Sequence, residues 1–309
     1  MTRHLLRRLG GTLVVLLAVS FITFAALAAT PGDTATALVG DSASLEQLDL
    51  LRHQMGLDQP LLARYGRFAG NLVLRGDLGE SLVSGREVGD LILERLPYTV
   101  VLALVAMALA TVAGMLIGTA AALRSGTLLD TAIMGGTTLG MAVPTFWSAL
   151  LLIMLFALKL HWLPVVGAGS PLHLVLPALT LALPTTAIVA RLMRSGLKDV
   201  MGADYVRTAR SKGLSSRHVL AGHMLRNSLI PLVTVLGLQL GHLLGGSFVV
   251  ETIFGWPGLG RLTVLAIFDR DYPVVLGAAL TVAATYLLIN FLVDFGHAWL
   301  DPRVAHEAI

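Results

Sequence analysis

The sequence predicts an all-α integral membrane protein: six transmembrane helices, both termini inside, an outer cap segment, and a short helix exposed in the longest inner loop. Three observations carry this prediction. Only 13% of the 309 residues are charged and 55% are hydrophobic, whereas an ordinary soluble domain is about 25% charged. Six segments, residues 9–32, 96–123, 131–158, 160–190, 227–250 and 272–293, contain no Asp, Glu, Lys or Arg. Each exceeds the roughly 20 residues a helix needs to cross the hydrocarbon core, and a soluble core helix is rarely uncharged on every face. Third, an inside N-terminus gives the inner segments 13 bases against 6 acids and the outer segments 9 against 13. That is the asymmetry of the positive-inside rule. Six of the outer bases lie in residues 31–95, a segment long enough to weigh little in that rule. The net charge of +3 therefore reports topology; no basic-aromatic platform for nucleic acid accompanies it.

The elements follow in order. Arg3, Arg7 and Arg8 precede an apolar run of about twenty residues, longer than the 7–15 of a signal-peptide core, so the run is read as an uncleaved first helix. Residues 31–95 form the one sizeable polar outer segment. Helical stretches at 44–55 and 61–74 alternate there with turn residues Gly56, Asp58, Pro60, Gly76, Asp77 and Gly79. Ser44-Leu-Glu-Gln47 matches a capping box. The segment is too poor in apolar residues for a core of its own and suits a cap over the membrane helices.

Helices two and three form a hairpin joined by residues 124–130. Gly114 with Gly118, and Gly136 with Gly140, supply small-xxx-small spacing for close helix contact. Pro144, Pro177 and Pro184 are expected to kink or locally unwind helices three and four. In helix five Gly237, Gly241 and Gly245 share one side, with Gln239, His242 and Gly246 near the opposite side. A polar face is costly against lipid, so Gln239 and His242 line either a water-filled path or a satisfied internal hydrogen bond. Asp294, near the inner end of helix six, reads either as a helix-end acid at the interface or as a relay acid.

Residues 191–226 hold eight of the 22 bases. Within them Val206, Ala209, Gly213 and Leu214 fall at i, i+3, i+7 and i+8, an apolar stripe on a short helix. Arg207, Arg210 and Lys212 flank it. Physics alone leaves two readings. The loop lies amphipathically at the headgroups, or it docks on a protein with an acidic rim, small Ala209 and Gly213 letting that partner approach closely.

Several chemistries are excluded. None of the three lysines follows a glycine, so there is no P-loop in this chain. Gly255-Trp-Pro-Gly258-Leu-Gly260 has the wrong spacing for a phosphate loop and reads as a turn. There is no His-Glu-x-x-His and no Gly-x-Ser-x-Gly, and the nine histidines are scattered. With no cysteine, thiolate chemistry and disulfides are impossible. Neither a catalytic constellation, a metal site nor a cofactor site assembles.

The chain resembles the membrane-spanning permease of a binding-protein-dependent ABC importer, in the dipeptide/oligopeptide/nickel group. The resemblance rests on Arg7-Arg8, Pro31-Gly-Asp33, Gly56-Leu-Asp-Gln-Pro60 with Tyr65, Gly76-Asp-Leu-Gly79 with Ser81, and Arg95-Leu-Pro97 with Thr99. It continues through Asp204-Tyr-Val-Arg-Thr-Ala-Arg-Ser-Lys-Gly-Leu214, His223-Met-Leu-Arg-Asn-Ser-Leu-Ile-Pro231 and Glu251-Thr-Ile-Phe254. Trp256-Pro-Gly-Leu-Gly260, Arg270-Asp-Tyr-Pro273, Asp294 and Asp301-Pro-Arg303 complete it. The family loop signature is Glu-Ala-Ala, three residues, Gly, then a later Ile-x-Leu-Pro. Here Arg207-Thr-Ala209 replaces its start, Gly213 supplies the glycine, and the proline is delayed to Pro231.

The resemblance implies a multi-pass protein of the bacterial inner membrane. It implies a tip and first helix at 1–30, a periplasmic segment at 31–95, the transmembrane domain at 96–300 with a coupling loop at 191–226, and a cytoplasmic tail at 301–309. Its implied partners are a second homologous permease (a heterodimer being the family habit), two P-loop ATPase subunits that bind ATP and Mg, and a periplasmic or lipid-anchored binding protein. The coupling residues it points to are Tyr205, Arg207, Thr208, Ala209, Lys212, Gly213 and Leu214. Short peptides are the expected cargo. Nickel or a metal chelate is the alternative, and an ion-coupled secondary transporter is a more distant one, disfavoured because it would show intramembrane acids or inverted repeats.

Overall fold

A computed structural model describes residues 2–30, 44–54 and 58–300. Pro31-Gly-Asp33, Gly56, and the tail with Asp301-Pro-Arg303 lie outside the described residues. Thirteen helices can be named among the described ones. They are α1 (Thr2–Ala29), α2 (Leu45–Gln54), α3 (Leu61–Arg75), α4 (Val88–Leu123), α5 (Leu128–Ala142), α6 (Thr145–Leu152) and α7 (Val175–Met201). Then come α8 (Asp204–Ser211), α9 (Ser216–Val219), α10 (Arg226–Gly246), α11 (Phe248–Ile253), α12 (Leu259–Phe268) and α13 (Tyr272–Leu300). Two π-helical turns, Ile153–Lys159 and Leu220–Leu225, extend α6 and α9. Among the described residues the only β pairing is an isolated antiparallel bridge between Glu80 and Glu87.

Among the described residues four helices are long and apolar enough to cross a membrane, and the count reaches six if each of two bent pairs is one span. The third predicted helix is interrupted at Pro144, as expected: it breaks after Ala142, and its halves meet at 104°. Val143 and Pro144 are both extended, with ψ of 125° and 136°. Proline disfavours helical geometry in the residue before it and has no N–H to continue the ladder. Pro184 has no such effect, since α7 remains helical through it from Val175 to Met201.

The chain divides into two compact units. The first comprises residues 1–99 and 257–287. Its core sets Val88, Leu91 and Ile92 of α4 against Leu259 and Ala266 of α12 and Val274, Val275 and Ala278 of α13. Gly277 permits this packing: a Cβ there would lie 2.6 Å from Val88 Cγ1. Buried polar links support it. The Leu259 N–H donates to Thr99 Oγ1 at 2.8 Å, and the buried carboxylate of Asp271 accepts from Ser81 Oγ at 2.5 Å and Leu82 N at 3.1 Å. Against α1, the Tyr65 ring of α3 stands edge-on to Phe21 at 5.1 Å, and its hydroxyl meets Ser20 Oγ at 2.8 Å. The Ser44–Gln47 capping box forms in both directions, at 3.1 and 3.2 Å.

The second unit comprises residues 100–256 and 288–309. One core joins Leu102, Ala103 and Ala106 of α4 to Leu176, Ala178 and Leu181 of α7 and to Val250, Phe254 and Trp256. Another gathers Val189, Met193 and Leu197 of α7 with Val206 and Ala209 of α8 and with Val219, Met224 and Leu232. The glycines of α4 meet α7, not the following helix. A Cβ on Gly114 would sit 2.6 Å from the Val189 side chain, and one on Gly118 would sit 2.4 Å from the backbone oxygen of Ala190. At Gly136 of α5 nothing lies within 4 Å, and at Gly140 only Ala187 does, at 3.8 Å. The close contact expected from the glycine spacing of α4 is thus made, with α7 as its partner, whereas Gly136 and Gly140 make none as tight.

Candidate functional site: the basic loop after α7

Within residues 203–214 a short helix forms as the sequence predicts, but it ends at Ser211, before Gly213 and Leu214 of the predicted stripe. Ala203 is extended at the start of α8, with ψ of 145°, and Asp204 supplies negative charge to the first turn, where the helix dipole favours it. At the other end Gly213 takes φ +81°, the left-handed conformation that ends many helices. The Gly213 N–H then donates to the Arg210 carbonyl at 2.9 Å.

The predicted stripe divides into two parts. Val206 and Ala209 are buried, at 0% and 6% exposure, in the core formed with Val189, Met193 and Leu197. Ala209 is thus not the surface a partner approaches, as its small size suggested; it lets α8 lie close on its own protein. Gly213 and Leu214 are exposed, as are Tyr205, Arg207, Thr208, Arg210 and Lys212. The outward face is consequently basic and amphipathic, with Leu214 and the Tyr205 ring as its apolar elements. Arg207 lies 3.8 Å from Asp204, both well exposed, a weak pairing of the surface kind.

Two braces hold this helix. Asn227 at the start of α10 donates from Nδ2 to the Tyr205 hydroxyl and to the His223 carbonyl, both at 3.0 Å. The other brace lies at the base of the loop. Arg194 of α7 grips Asp130 of α5 with Nε to Oδ1 at 2.5 Å and Nη2 to Oδ2 at 2.7 Å. The buried Asp130 carboxylate also accepts from the Gly126 N–H at 3.0 Å, and its own N–H is capped by Thr127 at 3.4 Å. One turn earlier on α7, Arg191 donates to Thr138 Oγ1 at 3.0 Å. Sequence reasoning missed this brace, though an acid immediately before a charge-free run, three residues after a capping Thr127, was visible.

On α10, Gln239 is half-buried and His242 is exposed. The glycine side is uneven: Gly237 leaves room for Val293, which a Cβ would approach to 2.0 Å, Gly241 is buried, and Gly245 is exposed. Among the described residues no group of three His, Cys, Asp or Glu could hold a metal ion. His173 is engaged with Ser170, Nδ1 to Oγ at 2.9 Å.

Two family models match nearly the whole chain. Residues 110–306 match the binding-protein-dependent transport system inner membrane component, and residues 1–103 match the N-terminal membrane component of such systems. The glutathione transport system permease protein GsiC of Escherichia coli (strain K12) is 41% identical over 307 residues, covering 99% of this chain and all of that one. GsiC of Salmonella paratyphi A is 42% identical over the same coverage. Among solved structures, an inward-facing MetNI methionine ABC transporter chain superposes with a TM-score of 0.58 at 17% identity, over 68% of this chain and 96% of that one. A chain of an amino acid ABC transporter does so at 0.51 and 18%, over 70% and 94%. These two likenesses concern the fold.

Proposed function

The chain belongs to the family of binding-protein-dependent transport system inner membrane components, a multi-pass permease subunit of an ABC importer, and from that premise we propose that it forms the pathway for short peptides, glutathione-like tripeptides included. The cargo reading draws on the GsiC relatives, which favour a peptide over nickel. ATP and Mg are bound by two partner ATPase subunits, and a binding protein delivers cargo from outside. A second, homologous permease completes the pathway as a heterodimer.

In this reading the chain crosses the membrane six times with both termini inside, each bent pair serving as one span. Residues 31–95 cap the outer side, 96–300 form the transmembrane domain, and 301–309 are a cytoplasmic tail. Gln239 and His242 face the pathway. Coupling runs through residues 191–226, with α8 seated on an ATPase subunit.

One observation supports the coupling assignment above the others. Helix α8 spends its apolar residues Val206 and Ala209 on its own core and leaves a basic face of Tyr205, Arg207, Thr208, Lys212, Gly213 and Leu214 exposed. A solvated helix of eight residues has little stability of its own; anchored on one face, it presents the other as a rigid knob. Arg207 and Lys212 would meet acids on the rim of the ATPase cleft, and Leu214 would enter its apolar floor.

The test exploits the absence of cysteine. A single Thr208→Cys is expected to cross-link to an ATPase subunit carrying a cysteine in its cleft, with a yield that changes when ATP is added. Cross-linking only to lipid-directed probes would place the loop at the headgroups instead. For cargo, uptake of glutathione and dipeptides is measured in proteoliposomes holding the assembled transporter and its binding protein. Accumulation of nickel alone would overturn the peptide reading.

A further inference from the structure

The first unit contains a cavity of about 290 Å³ that the transport function leaves unused. Its walls are apolar: Phe24 and Leu27 of α1, Phe68 of α3 and Leu276 of α13. Phe24 and Phe68 stack at 6.3 Å between ring centroids. Two polar groups interrupt this surface. The Arg64 guanidinium lies 5.6 Å over the Phe24 ring and makes no ion pair among the described residues. The Tyr272 hydroxyl is buried and has no hydrogen-bond partner among them.

Position in the chain fixes the depth of the cavity. Phe24 and Leu27 are in the last two turns of α1, which ends at Ala29, and Tyr272 opens α13. Both helices are long and apolar enough to span, so their ends mark the boundary between hydrocarbon and headgroups, where aromatic and basic side chains anchor. An apolar hollow at that depth, with a bare guanidinium on its wall, matches one ligand chemistry: an acyl chain attached to a phosphate. Arginine is suited to the second part because its fork pairs two N–H groups with phosphate oxygens.

We infer that this cavity is a specific site for an anionic phospholipid, whose phosphate sits on Arg64 and whose acyl chain lies against Phe24, Phe68 and Leu276. A free phosphate would satisfy the guanidinium but leave the apolar walls uncovered. A zwitterionic lipid would bring its own ammonium to the phosphate and gain less from Arg64. An oxygen of the bound headgroup would also give the Tyr272 hydroxyl its first partner.

The experiment is native mass spectrometry on the assembled transporter in mild detergent, titrated with phosphatidylglycerol or phosphatidylethanolamine of identical chains. The expected result is one phosphatidylglycerol per copy of this chain, bound about fivefold or more tighter than phosphatidylethanolamine. Arg64→Gln should abolish that preference while the complex keeps its intact mass. Arg67→Gln, on the same helix but exposed and outside the cavity, should leave it unchanged. Leu276→Trp, filling the cavity, should weaken both lipids together. If Arg64→Gln prevents assembly, Arg64→Lys replaces it, keeping charge without the fork, and a severalfold weaker preference is expected. Retention of the full preference in the Arg64 variants, equal loss in Arg67→Gln, or displacement of the lipid by glycerol 3-phosphate alone would overturn the assignment.

Discussion

Arg194 and Asp130, 64 positions apart in the sequence, meet through two parallel hydrogen bonds of 2.5 and 2.7 Å. This fork-to-fork geometry is the strongest form an arginine–carboxylate contact takes. It fastens the end of α7, from which the basic loop departs, to the first turn of α5.

Breaking that pair should therefore loosen the base of the loop. Asp130→Ala leaves a largely buried guanidinium without its partner, the costly way to lose an ion pair. The expected outcome is a melting temperature about 5–10 °C lower for the detergent-purified complex, given the usual relation between stability and melting temperature. Arg194→Lys keeps the charge but loses one of the two bonds and should fall between. A double variant, Asp130→Ala with Arg194→Met, should recover part of the loss, because no unpaired charge remains.

The glycine contacts separate two positions that look alike in sequence. Gly118→Ala drives a methyl to 2.4 Å from the Ala190 carbonyl oxygen, backbone that cannot rotate aside, and should destabilise by about 1–3 kcal/mol. Gly136→Ala enters open space and should be neutral or slightly stabilising through higher helix propensity. Unfolding of each variant in mixed micelles measures both. Equal effects would mean that α4 does not pack on α7 through Gly118.

At the end of α8, Gly213 combines φ +81° with empty surroundings, so substitutions act through the backbone and the outward surface, not through internal clashes. Gly213→Arg should reduce transport at least tenfold while the membrane-inserted amount stays within about twofold, a loss of roughly 1.4 kcal/mol or more of coupling per tenfold. Gly213→Asn tolerates the left-handed region and should retain most activity. Transport assays normalised to protein level distinguish the outcomes, and unimpaired Gly213→Arg would move the docking surface elsewhere.

The two faces of α8 should also respond differently. Ala209→Leu overfills a buried site and is expected to cost about 1–3 kcal/mol of stability. Arg207→Glu, on the exposed side, should leave the melting temperature unchanged but weaken co-purification of the ATPase subunits severalfold. A reversed pattern would mean that α8 binds its partner through the Val206–Ala209 side.

Much of this was legible in the residues. Charge-free runs marked the membrane helices, Ser44 and Gln47 marked the start of α2, and the i, i+3 spacing of Val206 and Ala209 correctly marked one side of α8 for burial. What covers that side was not legible, because periodicity states that a face is apolar and says nothing of its neighbour. The same gap explains Gly114 and Gly118. Small-xxx-small spacing describes a smooth surface, and whether the following helix or a more distant one lies on it is decided by tertiary packing. Pro144 announced an interruption, yet the 104° turn depends on how α5 and α6 are held by the rest of the unit. The Asp130–Arg194 pair links two segments that local pattern treats separately.

The backbone approach at Gly118 has a mechanical corollary. Where side chains separate two helices, rotamer changes can absorb a small displacement, as a compliant gasket does. Between Gly118 and Ala190 there is no such layer, and sliding would press one peptide backbone on the other. If α8 couples as proposed, a push on it would enter α7, and at this contact α7 meets α4 through backbone and the base of the Met193 side chain. Stiffness at a residue without a side chain would then be the property that lets α4 follow α7 in step.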